Sequence, residues 1–523
     1  MSPEKRVWNE WEFHSTVWHF SRKNMLPGPR GYTSIPTLTE KLILKYTEIG
    51  SRIIFFDKLA NSISQHQENL DNRNLLYLDF QDFLLNDNVI SNVIEHNKSD
   101  IDAIFANLLD WVQTETVESV IEVHELARHF LSKTKVFLSK CYEILREDGF
   151  FVLDIADIIA DCVIPLGALL MHQALEVGFN LWDAIHYDVK VDPSPSCPFS
   201  SFDYLLILQR RKKGWKYLRL DNFLQKNHIM RGITRLHSSF RESHNCVVWN
   251  FDVGAKSRIL THGFEYHSED RYIKSKRKIY EKTLFAGKLV PQLVRRLILD
   301  YSQPHDCLFD FFVGTGTVIL EGVYCGRKSY GIDINPAAVE LTRQKVQAYI
   351  MQRNETQIQP VWKVETGNAM EAVSLADESI DLVFAHPPYW GLVKYTDLSE
   401  DLSNMRLKEY LQAMQKVLSE GHRILKPEGY LVVIIGDKRK AGLVPLGSYL
   451  TLFGIDAGLT LWDLILNDTE FGGKQHDYFA QIKSKQYRFH LCDHDYLLVL
   501  RKDTSNRSFT FREPWLSEIL KSS

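Results

Sequence analysis

Short, nearly unbroken apolar runs recur along the chain: FFVLDI (Phe150 to Ile155), LFDFF (Leu308 to Phe312), SYGIDI (Ser329 to Ile334) and YLVVII (Tyr430 to Ile435). Each has the length of a buried strand. Between such runs, VPQLVRRLILDY (Val290 to Tyr301) and EYLQAMQKVLSEGHRIL (Glu409 to Leu425) repeat their apolar positions at helical spacing. Strands alternating with helices imply an α/β architecture, a mainly parallel sheet with helices on both faces. The final pair, LTLWDLIL and HDYLLVLRK, is predicted to form an antiparallel hairpin at the end of that sheet.

The pattern occurs twice. IPTLTEKLILKYT (from Ile35) resembles LVPQLVRRLILDYS, with Pro36 matched to Pro291 at an offset of 255. At an offset of 280, ILREDGFFVLDIAD (Ile144 to Asp157) parallels ILKPEGYLVVIIGD (Ile424 to Asp437), Pro165 parallels Pro445, and Trp182 in LWDAI parallels Trp462 in LWDLI. FDYLLIL then parallels HDYLLVL, Tyr204 with Tyr496, and the opening WEF (Trp11 to Phe13) is read against WNF (Trp249 to Phe251). Matches in one order along the chain predict a tandem duplication. The boundary belongs between about Lys213 and Trp249 and is placed near residue 230, giving domains 1–230 and 231–523.

The chain's 523 residues exceed one ordinary core, as a duplication requires. With 45% hydrophobic and 24% charged residues and no apolar run long enough to span a bilayer, the composition predicts a soluble protein with no membrane partner. MSPEKRVWNEWEF is not a secretory leader, so a cytoplasmic location is expected. Seven scattered cysteines, with no C-x-x-C pair, suggest neither a disulfide frame nor a metal site. A net charge of -4 excludes an indiscriminate nucleic-acid coat. Phosphate contact is left to two basic clusters, one from Arg210 to Arg219 and one from Arg271 to Lys282 that leads on to Arg295 and Arg296.

Chemistry concentrates in the second copy. CLFDFFVGTGTVILE reads as a strand ending at Asp310, a loop with Gly314 and Gly316, and a helix, which lets a ligand approach the backbone at the carboxyl edge of the sheet. Asp333 in SYGIDINP ends the next strand, where an acidic side chain can hold ribose hydroxyls. A third loop glycine for a dinucleotide is missing, so S-adenosylmethionine is the better fit. Then comes ESIDLVFAHPPYWG, a strand tipped by His386, Pro387, Pro388 and Tyr389. Two prolines stiffen the turn and leave carbonyls as acceptors. An exocyclic amine, whose lone pair is delocalised, needs acceptors for both N–H bonds, here the His386 side chain and the Pro387 carbonyl. Tyr389 would stack on the base.

The set D-x-F-x-G-x-G, G-I-D-I-N-P and x-P-P-Y-W, preceded by K-L-V-P-Q-L, resembles the DNA amino-methyltransferases that make N6-methyladenine or N4-methylcytosine, over most of residues 250–502. Together with the repeat, the resemblance implies two class I (Rossmann-like) methyltransferase folds in tandem. It also implies double-stranded DNA with a flipped base as substrate, and a restriction or defence system as setting and partner. In the cofactor site it places Lys288 to Pro291, including Leu289, beside the methionine end. Asp310, Phe311, Gly314 and Gly316 become the floor, Asp333 the ribose ligand, and Asn368 a neighbour of the adenine.

One departure stands out: the family's turn begins with Asp, Asn or Ser, and here it begins with His386. A neutral imidazole offers one acceptor nitrogen, whereas a protonated one offers none and repels a sulfonium, so activity is expected to fall at low pH. In the first copy AIFANLLDW replaces LVFAHPPYW, with Asn107 to Asp110 in place of the turn, and IIFFDKL (Ile53 to Leu59) replaces the glycine loop. A degenerate domain packed as the second subunit of a pseudo-dimer follows, either helping to grip the substrate or kept only for stability, and with it a functional monomer. Trp182 and Trp462 read as core, Asp157 and Asp437 as structural, and His262 as a wall of the site. No helix-turn-helix or zinc-finger signature marks a sequence reader, so 213–285 and 466–490 are where base-reading side chains are expected. Two other readings stay open: an RNA base amino-methyltransferase, and an inactive nucleic-acid-binding scaffold.

Overall fold

In the computed structural model, the residues described are 17–19, 42–43, 45–48, 50–56, 73–79, 83–84, 101–108, 120–159, 163–188, 202–210, 248–250, 260–261, 264–265, 289, 291–353, 361–371, 374–391, 394–439, 442–468 and 494–503. The first half contributes β1 (Val17–His19), β2 (Arg52–Phe56), β3 (Asn74–Leu78), β4 (Ile101–Asn107), α1 (Val120–Ile144), β5 (Leu145–Ile155), β6 (Ile158–Ile159), β7 (Val163–Ile164), α2 (Leu166–Val177), β8 (Asn180–Asp188) and β9 (Phe202–Gln209). The second half begins with β10 (Val248–Asn250), β11 (Leu260–Thr261), β12 (Phe264–Glu265), α3 (Pro291–Tyr301), β13 (Cys307–Asp310), α4 (Thr317–Tyr324), β14 (Lys328–Asp333), α5 (Pro336–Arg353), β15 (Trp362–Thr366) and β16 (Ile380–Ala385). It continues with α6 (Leu407–Ile424), β17 (Leu425–Ile435), β18 (Lys438–Arg439), β19 (Leu443–Val444), α7 (Leu446–Asp456), β20 (Thr460–Asp468) and β21 (His494–Arg501).

One sheet has the order β1-β8-β9-β5-β4-β2-β3 and the other β10-β20-β21-β17-β16-β13-β14-β15. Without β15 the two orders coincide strand for strand. All neighbours are parallel except β9 and β21, which run against both of theirs. These are two Rossmann-like folds in tandem. The equivalence extends to register: Ile53 faces Ala103 as Leu308 faces Leu382, and the two terminal hairpins slip at one place, at Trp182 and at Trp462. One expected match needs correction. Val17–His19 and Val248–Asn250 occupy equivalent places, so Trp249 of WNF corresponds to Trp18, and WEF lies outside the described residues. Three-residue aromatic matches carry too little information to set a register.

Each sheet is covered on both faces, as alternating strands and helices require. One core runs through both halves and includes the buried sides of α1, α2, α6 and α7. Separate clusters cover the opposite faces. Every residue of α7 is buried, as are the first nine of α2. Helices apolar nearly all round must be enclosed, and these two pack on each other across the halves. The small hairpins are exchanged: β7 lies against β20, and β19 against β8. Among the described residues no helix is long and apolar enough to cross a membrane.

Candidate functional site

β13 carries Asp310 to the carboxyl edge of its sheet, between β14 and β16. There the Phe311 N–H donates to the Phe384 carbonyl and the Phe312 N–H to Asp310 Oδ1, both at 3.0 Å. Gly314 and Gly316 follow with φ of 49° and 80°. This left-handed backbone suits glycine, and a Cβ on Gly316 would lie 2.6 Å from Thr342 Cγ2 on α5. The Gly314 N–H donates to Asp333 Oδ2 (2.7 Å) and the Asn335 N–H to Asp333 Oδ1 (2.9 Å). A carboxylate has about four acceptor positions, so Asp333 can build the loop and still take hydroxyl donors. The Gly367 N–H donates to the Asp333 carbonyl (3.0 Å), which brings Asn368 to the same edge. Asn368 shapes its own turn, accepting from the Met370 N–H and donating to Glu371. Leu289 packs on the core beneath β13 and β16, and Pro291 opens α3, which lies on α4. Phe311 enters the core with its ring, leaving its backbone at the edge.

The electrostatics of this edge favour a cation. Asp310 is 1% exposed; burial pushes its carboxyl up to about 7, the Phe312 N–H opposes the rise, and the neighbouring Asp333 adds to it. Asp333 is raised too, by burial and by Asp401, against the donated N–H groups of Asn335 and Gly314. Two acids held together at a cost would be relieved by a positive charge. A ribose-bearing sulfonium such as S-adenosylmethionine fits such a site: a close backbone approach, an acceptor pair on Asp333, and acidity beneath.

β16 lies between β13 and β17, so its tip, His386 to Trp390, opens beside the glycine loop. Pro387 is buried, whereas His386 and Tyr389 are half-buried. The His386 ring stands edge-on to Tyr389, with centroids 5.6 Å apart at 88°. The Tyr389 hydroxyl donates to Asp495 Oδ1 (2.9 Å), and burial and that carboxylate hold its acidity well away from the neutral range. Trp390 is core, with its indole N–H on the Met405 carbonyl (3.1 Å). Past the turn, buried Asp401 accepts from the backbone and hydroxyl of both Thr396 and Ser403 at 2.7 to 2.9 Å. Asp401 and Asp495 were missed by the motif reading. Asp401 does carry a local signal, a capping Asp two residues before Ser403, whereas Asp495 is 106 residues from its partner.

In the first half the corresponding edge is filled. Phe55 occupies the place of Asp310, fully buried, and its ring stacks on Phe105 (5.2 Å) and Tyr77 (5.8 Å). Tyr77 in turn stands where β14 has Gly331. Asp79, following β3, keeps the place of Asp333, a match the sequence comparison had not found. Asn107 holds the place of His386, and the Leu108 N–H donates to the Asp154 carbonyl (3.0 Å), a bond that Pro387 is unable to make.

Several residues singled out earlier prove structural. Asp157 and Asp437 accept from the N–H of Gly167 and Gly447 and from the hydroxyls of Tyr204 and Tyr496. Arg295 is withdrawn from phosphate contact: it is 4% exposed, pairs with buried Glu321 and lies over Tyr324 at 4.2 Å. Arg296 pairs with Asp300 on its own helix, and Arg210 donates to the Leu145 carbonyl. His262, the remaining basic-cluster residues, Leu109, Asp110 and the boundary near 230 lie outside the described residues. Among those described, no group of His, Cys, Asp and Glu is arranged to hold a metal.

A family model described as DNA methylase matches residues 94–344 and 380–518, and one described as RNA cap guanine-N2 methyltransferase matches 305–426. The Type II methyltransferase M.MjaII of Methanocaldococcus jannaschii is 33% identical over 69 residues, 13% of each chain. The tRNA (guanine(10)-N2)-dimethyltransferase of Methanothermobacter thermautotrophicus is 28% identical over 141 residues, 27% of this chain and 38% of that one. The chain thus spans well under half the length of these relatives. A crystal structure of a SAM-dependent methyltransferase from Methanosarcina mazei aligns with 42% of this chain and 99% of that one at 16% identity, with a TM-score of 0.28. That score carries no weight for the fold, which stands on strand order. The DNA methylase match, by contrast, takes in most of the chain and reaches into both halves. The chain belongs to the DNA methylase family of S-adenosylmethionine-dependent methyltransferases.

Proposed function

We propose that the second half transfers a methyl group from S-adenosylmethionine to the exocyclic amino group of a DNA base, N4 of cytosine or N6 of adenine, at specific sites. The observation that carries this reading is the meeting on one sheet edge of the glycine loop, Asp333 and the turn from His386 to Tyr389. Leu289 and Pro291 flank the methionine end of the cofactor, Asp310, Phe311, Gly314 and Gly316 form its floor, Asp333 holds the ribose and Asn368 borders the adenine. When bound, S-adenosylmethionine supplies an electrophilic methyl group. His386 accepts one amine N–H at its unprotonated nitrogen and the Pro387 carbonyl accepts the other, while Pro388 stiffens the turn. This favours a tetrahedral, nucleophilic nitrogen with no covalent intermediate. The ring of Tyr389 stacks on the base, which a duplex must first flip out.

In the same reading residues 1–230 form a degenerate copy, packed as a second subunit would be, so that one chain is already a pseudo-dimer. The setting is a cytoplasmic restriction-modification or defence system with its own partner. A second reading, methylation of an RNA base amino group, is favoured by the guanine-N2 model over 305–426 and by the tRNA-modifying relative. Offering labelled S-adenosylmethionine with genomic DNA and total RNA, then identifying methylated nucleosides by mass spectrometry, separates the two. N4-methylcytosine or N6-methyladenine in DNA is expected. N2-methylguanosine in RNA would favour the second reading, and cofactor binding without transfer would point to a scaffold.

A further inference from the structure

The tyrosine of the catalytic turn is held by a residue far away in sequence. Its hydroxyl donates to Asp495 at 2.9 Å, and Asp495 sits at the start of β21 between His494 and Tyr496. The meeting is close: a Cβ on Gly436 would come within 2.8 Å of Asp495 Oδ1 and 3.2 Å of Tyr389 Cε2. In the first half, whose turn has no tyrosine, the position of Gly436 is filled by Ala156. The missing methyl group thus accompanies the tyrosine–aspartate contact.

The two neighbours of Asp495 touch the other half of the molecule. The His494 ring stands edge-on to His186 of β8, with centroids 4.6 Å apart. The Tyr496 hydroxyl lies 2.8 Å from His186 Nε2 and also donates to Asp437 (3.2 Å). While Tyr496 donates to ionised Asp437, its oxygen is free to accept from His186 Nε2–H. His186 is completely buried, and burial together with His494 pushes its protonation well below the ordinary range, which keeps it neutral. At the equivalent position of β20 stands Leu466, so this brace exists on one side only.

We propose that Asp495 is a positioning residue for Tyr389, and that His186 of the first half braces the strand segment carrying Asp495. The degenerate half thereby supports transfer by fixing the catalytic turn. This rests on the reading of Tyr389 as the base-stacking residue of an amino-methyltransferase.

The test uses the full-length chain with Asp495→Ala, Tyr389→Phe, Gly436→Ala and His186→Leu, the last placing on β8 the side chain that β20 already has. Each is assayed for kcat, KM for the polymer, S-adenosylmethionine affinity and melting temperature. Asp495→Ala, Tyr389→Phe and Gly436→Ala are expected to lower kcat roughly 10-fold, with cofactor affinity within about twofold of wild type. Asp495→Ala combined with Tyr389→Phe should be no worse than either alone, because both break one contact. His186→Leu should lower kcat about threefold and add little in the Asp495→Ala background. Additive losses from Asp495→Ala and Tyr389→Phe, or losses that follow melting temperature and cofactor affinity, would overturn the positioning role. An unchanged kcat in His186→Leu beside a reduced one in Asp495→Ala would overturn the brace alone. A wild-type chain that transfers no methyl to any nucleic acid would overturn the underlying reading and this proposal together.

Discussion

At the scale of single residues, the proposed cofactor site is a matter of crowding and of one uneasy carboxyl. Gly316 combines a φ of 80° with Thr342 2.6 Å from where a Cβ would stand. Gly316→Ala should therefore cost about 1–2 kcal/mol in backbone strain alone. If the loop shifts to relieve it, S-adenosylmethionine affinity falls on the order of 10-fold, measurable by calorimetry. Asp310 gives a second prediction. Burial holds its carboxyl at about 7, so it is partly protonated at neutral pH, and a bound cation favours the ionised form. Binding of S-adenosylmethionine should strengthen as pH rises through about 7, with proton release. Uncharged S-adenosylhomocysteine should show less of this slope, and Asp310→Asn should flatten it.

At the scale of elements, much was legible because strands and helices with a buried face must show their period. The runs of β5, β13, β14 and β17, the helices α3 and α6, and the closing β20–β21 hairpin all follow from spacing of apolar positions. The glycine loop and the proline turn were legible because each needs particular residue types. Not legible were the two-residue hairpins β6–β7 and β18–β19, which are too short to show a period. Also hidden was the positional equivalence of Asp79 and Asp333, because NLLYL before Asp79 does not resemble KSYGI before Asp333. Asp437 shows how an element is pinned: its carboxyl at the end of β17 receives the Gly447 N–H of α7 and the Tyr496 hydroxyl of β21. Burial raises it to about 7, opposed by those donors. A folded-state value above that of the unfolded chain means the stability is fully present below about 4 and is lost as pH rises through about 7. Asp437→Asn should reduce the drop in melting temperature between pH 5 and pH 8.

At the scale of the whole molecule, two equivalent folds are joined by an interface that is not symmetric. Asp183 and Asp463 each receive a tyrosine hydroxyl, from Tyr46 at 3.0 Å and Tyr301 at 2.5 Å. Asp183 also pairs with an arginine from the other half, Arg439 of β18, with Lys45 close by. The Asp183 side chain is fully buried, so Arg439→Ala leaves a charge without its main counterion and should destabilise the chain by about 3–5 kcal/mol in denaturant titrations. Adding Asp183→Asn should recover part of that loss. With α2 and α7 buried on each other, the halves are expected to unfold in one transition. What such a body does is tested most directly by the label that wild type and His386→Ala leave in DNA and RNA, read by nucleoside mass spectrometry. Wild type should form N4-methylcytosine or N6-methyladenine in DNA, and His386→Ala should lose on the order of 100-fold or more of that activity while still binding S-adenosylmethionine. Undiminished transfer by His386→Ala, or label confined to RNA, would contradict the account.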